Sequence, residues 1–418
     1  MYDQNGLSQS MKQGAGLRGR GSMGACDRGS ASAGSRDGLQ LADRLESLGI
    51  FTKSPVILTT KGFQRVHEFL LQDQSAKLLP KERVCNCLKK RIDKQKQREV
   101  KYNESRKKAH WANVQRCGSV WTCPVCAKQI TEKRREELKK GLETWKNVHL
   151  GGVLLLTLTF SHSVNESLSS LLKRQKHAYK RFFENTRVVN LMKSIFVEHK
   201  IKGFEVTYGQ NGWHPHNHVL LLTKYQVHNF ELYRDELAKI WIECCTKSGL
   251  SAPSMEHGLD IRDGSYAEQY VSKWGIEHEL TKGHVKKGRN GGFTPFDLLH
   301  YSMLDGQMNG RTSASLWQEF AISTKGARQL VWGRGLKKLL KIEEKTDEEL
   351  AEETEQEAIS IRTVDDFAFS LLCHYQLRHK FLECIERDYE NGCFGNGETE
   401  RLLIALLEHE IERLRLSA

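Results

Sequence analysis

The sequence predicts an α+β fold in which helices pack on one face of a small antiparallel sheet. Segment 213–222 places histidines at alternate positions before an apolar run, and 203–208 is rich in β-branched and aromatic residues, so both are expected to be strands. The apolar segment 152–160 is expected to be a third strand. Segments 165–185 and 226–248 carry apolar residues at helical spacing, which gives the order β-α-β-β-α.

The two central strands are predicted to form a hairpin. An Asn-Gly dipeptide at 211–212 lies between them and is typical of a two-residue turn. A turn centred there places Glu205 opposite His218, and Thr207 opposite His216, on one face of the sheet. Directly opposite Cβ atoms lie roughly 4.5–5.5 Å apart, close enough to share one ion.

Glu205, His216 and His218 therefore predict a divalent-metal site with open coordination positions, and the mixed nitrogen and oxygen ligands favour Mn, Mg or Zn. The alternative is a half-buried hairpin whose histidines are solvated or hydrogen-bonded, which is the ordinary explanation for a single histidine. Pro215 has no backbone N–H, so the strand should be irregular or at a sheet edge there.

The composition favours a polyanionic partner. The chain has 418 residues, 64 Lys and Arg against 52 Asp and Glu, a net charge of +12 and a pI near 9.1, a balance that favours nucleic acid. No apolar run approaches the length of a membrane span, and we find no secretory signal, so a cytoplasmic protein without a membrane partner is expected. The eleven cysteines should then be reduced or bound to metal.

A second metal site is predicted before the strands. The Cys-Pro-Val-Cys sequence at 123–126 forms a tight knuckle that aims two thiolates at one ion, and structural zinc takes four such ligands. A redox Cys-x-x-Cys is less favoured, because no thioredoxin-like pattern surrounds it. The fourth ligand is left open, with His110 as a more distant alternative. The predicted zinc ligands are Cys117, Cys123 and Cys126, together with Cys85 or Cys87.

An aromatic helix follows the hairpin region. Tyr266 and Tyr270 are four residues apart on a predicted helix from 263 to 274, so they share a face, and Lys273 lies on nearly the same side. Taken alone, an aromatic core stripe is the better explanation of the two tyrosines. The nearby metal hairpin, the basic chain and the lysine favour a chemical role instead.

A basic loop comes next, at 282–294, where cations alternate with glycines. Lys286, Lys287 and Arg289 are expected to contact a phosphate backbone. The loop is not a P-loop, because the Gly-Lys-Ser/Thr spacing is absent.

Together these features resemble the rolling-circle replication initiators of small plasmids and prophages, in the HUH endonuclease class. Leu156–Phe160 resembles their first motif, and Pro215–Leu221 resembles the second, in which two histidines flank one residue. Tyr270–Lys273 resembles the third, and the zinc knuckle also occurs in a branch of this family. The resemblance covers about residues 80–340.

Composition and the resemblance together predict four regions. Residues 1–40, rich in Gly and Ser, are expected to be a disordered arm, and 41–145 a basic zinc-binding segment. Residues 146–340 are expected to form the HUH endonuclease domain, an antiparallel sheet with helices packed on it. Residues 341–418 are expected to be an acidic linker and a small helical region.

The resemblance also implies the chemistry. Mg²⁺ or Mn²⁺ held by Glu205, His216 and His218 would polarise the scissile phosphate, with His214 as a group next to the ligands or as a displaced ligand. Tyr270 would then attack phosphorus, forming a 5′-phosphotyrosine and leaving a 3′-OH. The zinc ion would be structural.

Three further positions bear on that chemistry. Lys273 is expected to lower the pKa of the Tyr270 phenol or to steady the ion site. Asn217 departs from the family pattern, since the residue between the histidines is usually hydrophobic. Tyr266 stands where many plasmid relatives have a glutamate that activates water. This implies the two-tyrosine arrangement of phage initiators, in which the second tyrosine re-joins the strand.

The expected partners are single-stranded DNA, origin double-stranded DNA, a host helicase and the host DNA polymerase that extends the 3′-OH. The helicase is expected because the chain has no P-loop. An HUH relaxase or transposase is the nearest alternative, since it uses the same parts on other DNA. A non-enzymatic zinc-binding DNA regulator is the alternative from another class, but it leaves the histidine hairpin and the tyrosine helix without a role.

Overall fold

The computed structural model describes residues 60–264, 292–352, 358–393 and 395–417, so the predicted arm 1–40 lies outside it. The helices are α1 (Thr60–Leu78), α2 (Pro124–Asn147), α3 (Leu168–Glu184), α4 (Thr186–Ser194), α5 (Arg234–Lys247), α6 (Pro295–Ser302), α7 (Ser313–Ser323), α8 (Leu336–Leu339), α9 (Asp347–Glu352), α10 (Asp366–His374), α11 (Arg378–Glu390) and α12 (Glu398–Ser417). The strands are β1 (Arg98–Asn103), β2 (Lys108–Ala112), β3 (Gly152–Leu158), β4 (Val197–Gly209), β5 (Gly212–Thr223), β6 (Leu259–Arg262), β7 (Gln307–Met308), β8 (Arg311–Thr312), β9 (Leu330–Trp332) and β10 (Ile359–Val364). Within this described part, none of the helices has the length and apolarity needed to cross a membrane.

The central sheet has five strands in the order β6-β3-β5-β4-β9. Every neighbouring pair in it is antiparallel, which confirms the predicted α+β class with an antiparallel sheet. Strand β5 lies in the middle because its run Val219–Leu222 is apolar at every position, as a strand buried on both sides requires.

Both faces of the sheet are covered, so the expectation of helices on one face is wrong. Val219 and Leu221 belong to the core that includes residues of α3 and α5. Leu220 and Leu222 belong to a second core, which they share with Trp145 and other residues of α2. The second face is covered only in part, and the functional side chains lie on its uncovered end.

A second sheet joins distant parts of the chain. Strands β10, β1 and β2 lie side by side, and Val100 of β1 pairs with Arg362 of β10. Trp111 of β2 stacks on Phe381 of α11, with ring centroids 5.5 Å apart. The region before the knuckle therefore shares a sheet with β10 and a core with the C-terminal helices.

The β4–β5 hairpin has a different loop from the one predicted. Gly209 pairs with Gly212, so Gln210 and Asn211 form the loop. Gly212 has φ +86°, and neither loop residue has a positive φ. A two-residue Asn-Gly turn needs positive φ at both of its central residues. A positive φ at the glycine that follows the turn is typical instead of a loop counted as three residues, here Gln210, Asn211 and Gly212. A Cβ at Gly212 would lie 2.8 Å from Val164 Cα, so the close approach also requires glycine.

This loop moves the register by two residues. Glu205 lies opposite His216 rather than His218, and Thr207 lies opposite His214 rather than His216. The predicted pairs are therefore wrong. Because side chains alternate with a period of two, the shift leaves Glu205 and the three histidines on one face, as predicted.

Candidate active site and metal centre

Three side chains of the hairpin converge on one point. Glu205 Oε2 lies 3.2 Å from His216 Nε2 and 3.7 Å from His218 Nε2. The ligand atoms of all three residues lie within 4.8 Å of one another. The residue opposite His218 is Gly203, which has no side chain to fill the space between His218 and Glu205.

The other ring nitrogens are held by hydrogen bonds. His216 Nδ1 lies 3.3 Å from the carbonyl oxygen of His214, so this nitrogen carries the proton. His218 Nδ1 lies 3.0 Å from the hydroxyl of Thr157, its pairing partner on β3. Both rings are thereby oriented with Nε2 toward Glu205, as hydrogen-bonded metal-ligating histidines commonly are.

This arrangement can hold a cation. For His216, burial lowers the pKa, but the hydrogen bond to Glu205 and the charge of its carboxylate outweigh it, so the pKa lies above its usual value. For His218, burial lowers the pKa to about 4, so this ring is neutral at pH 7. A neutral His218 can donate Nε2–H to the carboxylate, with Nδ1 accepting from the Thr157 hydroxyl, or it can offer the Nε2 lone pair to a cation shared with Glu205. The donor set fits a divalent ion with open positions.

His214 is turned toward a different neighbour. Its Nδ1 lies 2.8 Å from His162 Nε2, and His162 Nδ1 lies 2.9 Å from the carbonyl oxygen of Asn211 in the hairpin loop. Burial lowers the pKa of His214 to about 3, so it is neutral. The group that converges on Glu205 does not include His214.

Pro215 lies where β5 has only one partner strand. Pairing with β3 ends at Asn217, while pairing with β4 continues and places Val206 opposite Pro215. Its carbonyl oxygen accepts a hydrogen bond from Gln175 Nε2 at 3.2 Å. The prediction of a sheet edge at this proline is confirmed.

Four cysteines meet in a buried cluster, in which all the sulfur atoms lie within 4.8 Å of one another: Cys87, Cys117, Cys123 and Cys126. Cys85 lies outside the cluster, and its thiol donates to the carbonyl oxygen of Leu79 at 3.0 Å. His110, on β2, is also outside it. The structure thus brings Cys87 rather than Cys85 to the three cysteines of the knuckle.

Hydrogen-bond donors point at these sulfurs. Gln72 Nε2 donates to Cys123 Sγ at 3.3 Å, and the backbone N–H of Cys117 donates to Cys87 Sγ at 3.4 Å. Burial, together with the hydrogen bonds that the Cys123 thiol makes to neighbouring sulfurs, raises the pKa of Cys123 well above its usual range. Ionising the cluster therefore needs a cation within it, and four buried thiolates with N–H donors fit structural zinc.

The predicted nucleophile and its neighbours lie outside the described residues: Tyr266, Tyr270, Lys273, Lys286, Lys287 and Arg289. The residues on either side of that segment are described. Strand β6, which precedes it, pairs with β3. After it, Phe293 exchanges backbone hydrogen bonds of 2.7 and 2.9 Å with Tyr208, three residues beyond Glu205. Both flanks are therefore attached to the sheet that carries the site.

Two residues of this site have no individual role in the sequence prediction. Thr157 enters it only as part of the apolar strand 152–160 and of the first motif, and His162 does not enter it. A hydroxyl at a strand position facing the histidines was the available signal for Thr157. No local pattern identifies His162, because its partners, Asn211 and His214, are distant from it in the sequence.

Comparison with known proteins gives three findings. The family model Rep_1, described as "Replication protein", matches residues 107–380. "Protein rep" of Streptomyces lividans is 27% identical over 293 residues, which cover 54% of this chain and 64% of that protein. "Neomycin resistance protein" of Streptomyces cyanogenus is 29% identical over 133 residues, 26% of this chain and 30% of that protein. The matches thus span less than two thirds of either relative, and no solved structure matches.

Proposed function

The chain belongs to the Rep_1 family of replication proteins, and from this premise we propose that it initiates rolling-circle plasmid replication by nicking one DNA strand at the origin. The family match confirms the resemblance to plasmid replication initiators. The observation that supports the nicking reaction is the convergence of Glu205, His216 and His218 on one point of the hairpin. A Mg²⁺ or Mn²⁺ ion bound there would polarise the scissile phosphate and stabilise the charge that develops on it.

Tyr270 is the proposed nucleophile. Its phenolic oxygen attacks phosphorus, the bond from phosphorus to the 3′ oxygen breaks, and the phenolic proton is lost while the leaving oxygen takes up a proton. The products are a 5′-phosphotyrosine and a 3′-OH, so the energy of the broken phosphodiester is kept for re-joining. Lys273 lowers the pKa of the phenol, whose usual value is about 10. Tyr266 performs the second transfer, which re-joins the strand.

The attachment of Phe293 to Tyr208 supports this assignment, because the segment that contains Tyr270 ends beside the hairpin. The basic loop with Lys286, Lys287 and Arg289 contacts the phosphate backbone of the strand to be cut. Host helicase and host DNA polymerase are the proposed partners, since the 3′-OH serves as a primer. The cysteine cluster binds a structural zinc ion that holds the knuckle in place.

Incubation of the full-length protein with labelled single-stranded origin DNA and Mn²⁺ tests the proposal. We expect a band of protein-linked DNA on a denaturing gel, and its loss in the presence of EDTA. Glu205→Ala and Tyr270→Phe should abolish the band, whereas Glu256→Ala, a change of an exposed glutamate outside the site, should retain it.

The outcomes separate the alternatives. DNA binding without a covalent adduct supports the non-enzymatic zinc-binding regulator instead. An adduct formed on a transfer origin or transposon end, but not on the replication origin, supports a relaxase or transposase. Loss of the adduct only in Tyr266→Phe, with Tyr270→Phe active, would exchange the roles of the two tyrosines.

A further inference from the structure

A basic cleft lies at the edge of the central sheet. Its volume is about 730 Å³, and it opens between the knuckle loop at 117–122 and the segment 325–335, which includes β9. Basic side chains that line the cleft outnumber acidic ones by seven to four. The cleft is separate from the Glu205, His216 and His218 group, and it borders the cysteine cluster at Cys117.

Two of the cations are available to a ligand. Arg328 and Arg334 are exposed, and neither makes an ion pair with any residue that the structure describes. Lys325, also exposed, is 2.9 Å from Glu82. Exposed arginines suit phosphate, because the planar guanidinium donates two parallel hydrogen bonds to its oxygens.

An acidic segment at 343–348 contributes Glu344, Asp347 and Glu348 to the lining of the same cleft. Glu348 pairs with Arg83 at 2.7 Å, and Asp347 pairs with Arg134 at 2.9 Å. A Cβ at Gly118 would lie 2.8 Å from Glu348 Cγ, so the knuckle is shaped to admit this side chain. These carboxylates neutralise two cations of the cleft as phosphate oxygens would.

The cleft is close to the proposed active site. Leu330 of β9 pairs with Gly203 of β4, and the backbone N–H of Phe204 donates to the carbonyl oxygen of Gln329 at 2.9 Å. Glu205 is the next residue of β4. A polyanion in the cleft would therefore lie one strand away from the metal-binding side chains.

We propose that this cleft binds the phosphodiester backbone of DNA, and that the acidic segment 343–348 competes with DNA for it. The inference rests on the proposed function only in taking DNA as the polyanion. Backbone contacts of this kind carry no sequence information but orient the duplex or strand relative to the cutting site.

Fluorescence anisotropy of the full-length, zinc-loaded protein with a labelled duplex of unrelated sequence, at 50 to 200 mM salt, tests the cleft. Arg328→Gln with Arg334→Gln should make the slope of log affinity against log salt less steep by about 2, one for each lost phosphate contact. The matched control removes the same charge from exposed Arg401 and Arg415 on α12 and should leave the slope unchanged. Equal slopes in both double variants would overturn the cleft as a DNA site.

The competing segment is tested in the same assay. Asp347→Asn with Glu348→Gln frees Arg83, whereas Arg134 stays paired with Glu137 at 2.9 Å, so affinity should rise and the slope should steepen by about 1. Glu136→Gln with Glu143→Gln on α2 is the control for net charge. If both pairs raise affinity equally, the segment acts only through net charge and the competition is refuted.

Covalent adduct formation, measured in parallel, separates this inference from the proposed function. An unchanged salt slope with a normal adduct rejects the cleft and retains the nicking function. A reduced slope with no adduct, even in wild type, retains the cleft and rejects the nicking function.

Discussion

His162 Nε2 lies 2.8 Å from His214 Nδ1, and this contact fixes the proton on both rings. The carbonyl oxygen of Asn211 can only accept, so His162 carries its proton on Nδ1. Its Nε2 then accepts from His214 Nδ1–H, and His214 keeps a lone pair on Nε2. The hairpin loop thus sets the tautomer of a histidine beside the metal-binding group.

Substitution of His162 should remove the hydrogen bond that orients the His214 ring. We expect His162→Ala to lower Mn²⁺ affinity or nicking by less than the roughly 10-fold typical of a partner that bonds directly to a metal ligand, because His214 lies beside the metal-binding group and not within it. His162→Gln should restore most of it, because a glutamine oxygen can accept from His214. Isothermal titration with Mn²⁺ and a thermal melt measure both effects. Equal loss in both variants, or a fall in melting temperature that accounts for it, would point to a structural role.

Thr157 should orient His218 through its hydroxyl. Thr157→Val removes the hydrogen bond to His218 Nδ1 while keeping the shape of the side chain, and about 10-fold weaker Mn²⁺ binding is expected. Thr157→Ser keeps the hydroxyl and is the matched control. Wild-type affinity in the valine variant would show that the ring needs no such partner.

Substitutions of Cys87 and Cys85 test which of the two is the fourth zinc ligand. Cys87→Ser should lose the zinc ion and melt at lower temperature, because only three sulfurs remain in the cluster. Cys85→Ser should keep one zinc per chain, since its thiol bonds to a backbone carbonyl instead. Metal content measured by plasma mass spectrometry distinguishes the two cysteines. Loss of zinc in Cys85→Ser with zinc retained in Cys87→Ser would identify Cys85 as the fourth ligand.

Gly212 should be intolerant of a side chain. Gly212→Ala forces a left-handed alanine, which costs about 1–2 kcal/mol, and its Cβ meets the backbone at Val164, which adds about 1–3 kcal/mol. Gly310→Ala has a similar φ of +74° but open space, so only the first cost applies. Urea unfolding measures the two free energies. Equal losses of unfolding free energy in the two variants would show that the backbone at Val164 moves away from the new Cβ at no cost.

His379 should make the fold sensitive to acid. Burial, reinforced by Lys380 and Arg378, lowers its pKa to about 4, below the unfolded value of about 6.5. The unfolded chain therefore binds the proton first as pH falls, and stability present above about 6.5 is lost between about 6.5 and 4.

By pH 4.5 this loss is about 2–3 kcal/mol. His379→Leu should reduce the fall in unfolding free energy between pH 7 and 4.5 by that amount. His257→Leu, a change of an exposed histidine, should not alter it. An acid response in His379→Leu equal to that of wild type would assign the sensitivity to other groups.

The sequence predicted the parts with strong local patterns. The alternation of histidines identified the face that carries Glu205, and the apolar run 152–160 identified β3, which spans Gly152–Leu158. The predicted register is wrong because the sequence does not distinguish a Gly that follows a turn from a Gly within it. Only the φ angles distinguish the two.

Other elements gave no readable signal. Strands β1 and β2 lie in a stretch dense with lysine and arginine, where a solvated basic segment is the ordinary expectation. Strand β9 has only three residues, and its place beside β4 depends on long-range pairing. The choice of Cys87 over Cys85 likewise depends on how the turn at Arg83–Asn86 directs each thiol.

The most direct test of the central claim is a peptide map of the covalent adduct. Protein incubated with origin single strand and Mn²⁺ is digested with protease and nuclease and analysed by mass spectrometry. We expect a nucleotide attached to Tyr270, absent without Mn²⁺ and absent in Glu205→Ala. An adduct that forms equally well in Glu205→Ala, or that maps to a residue other than a tyrosine of the segment 265–291, would contradict it.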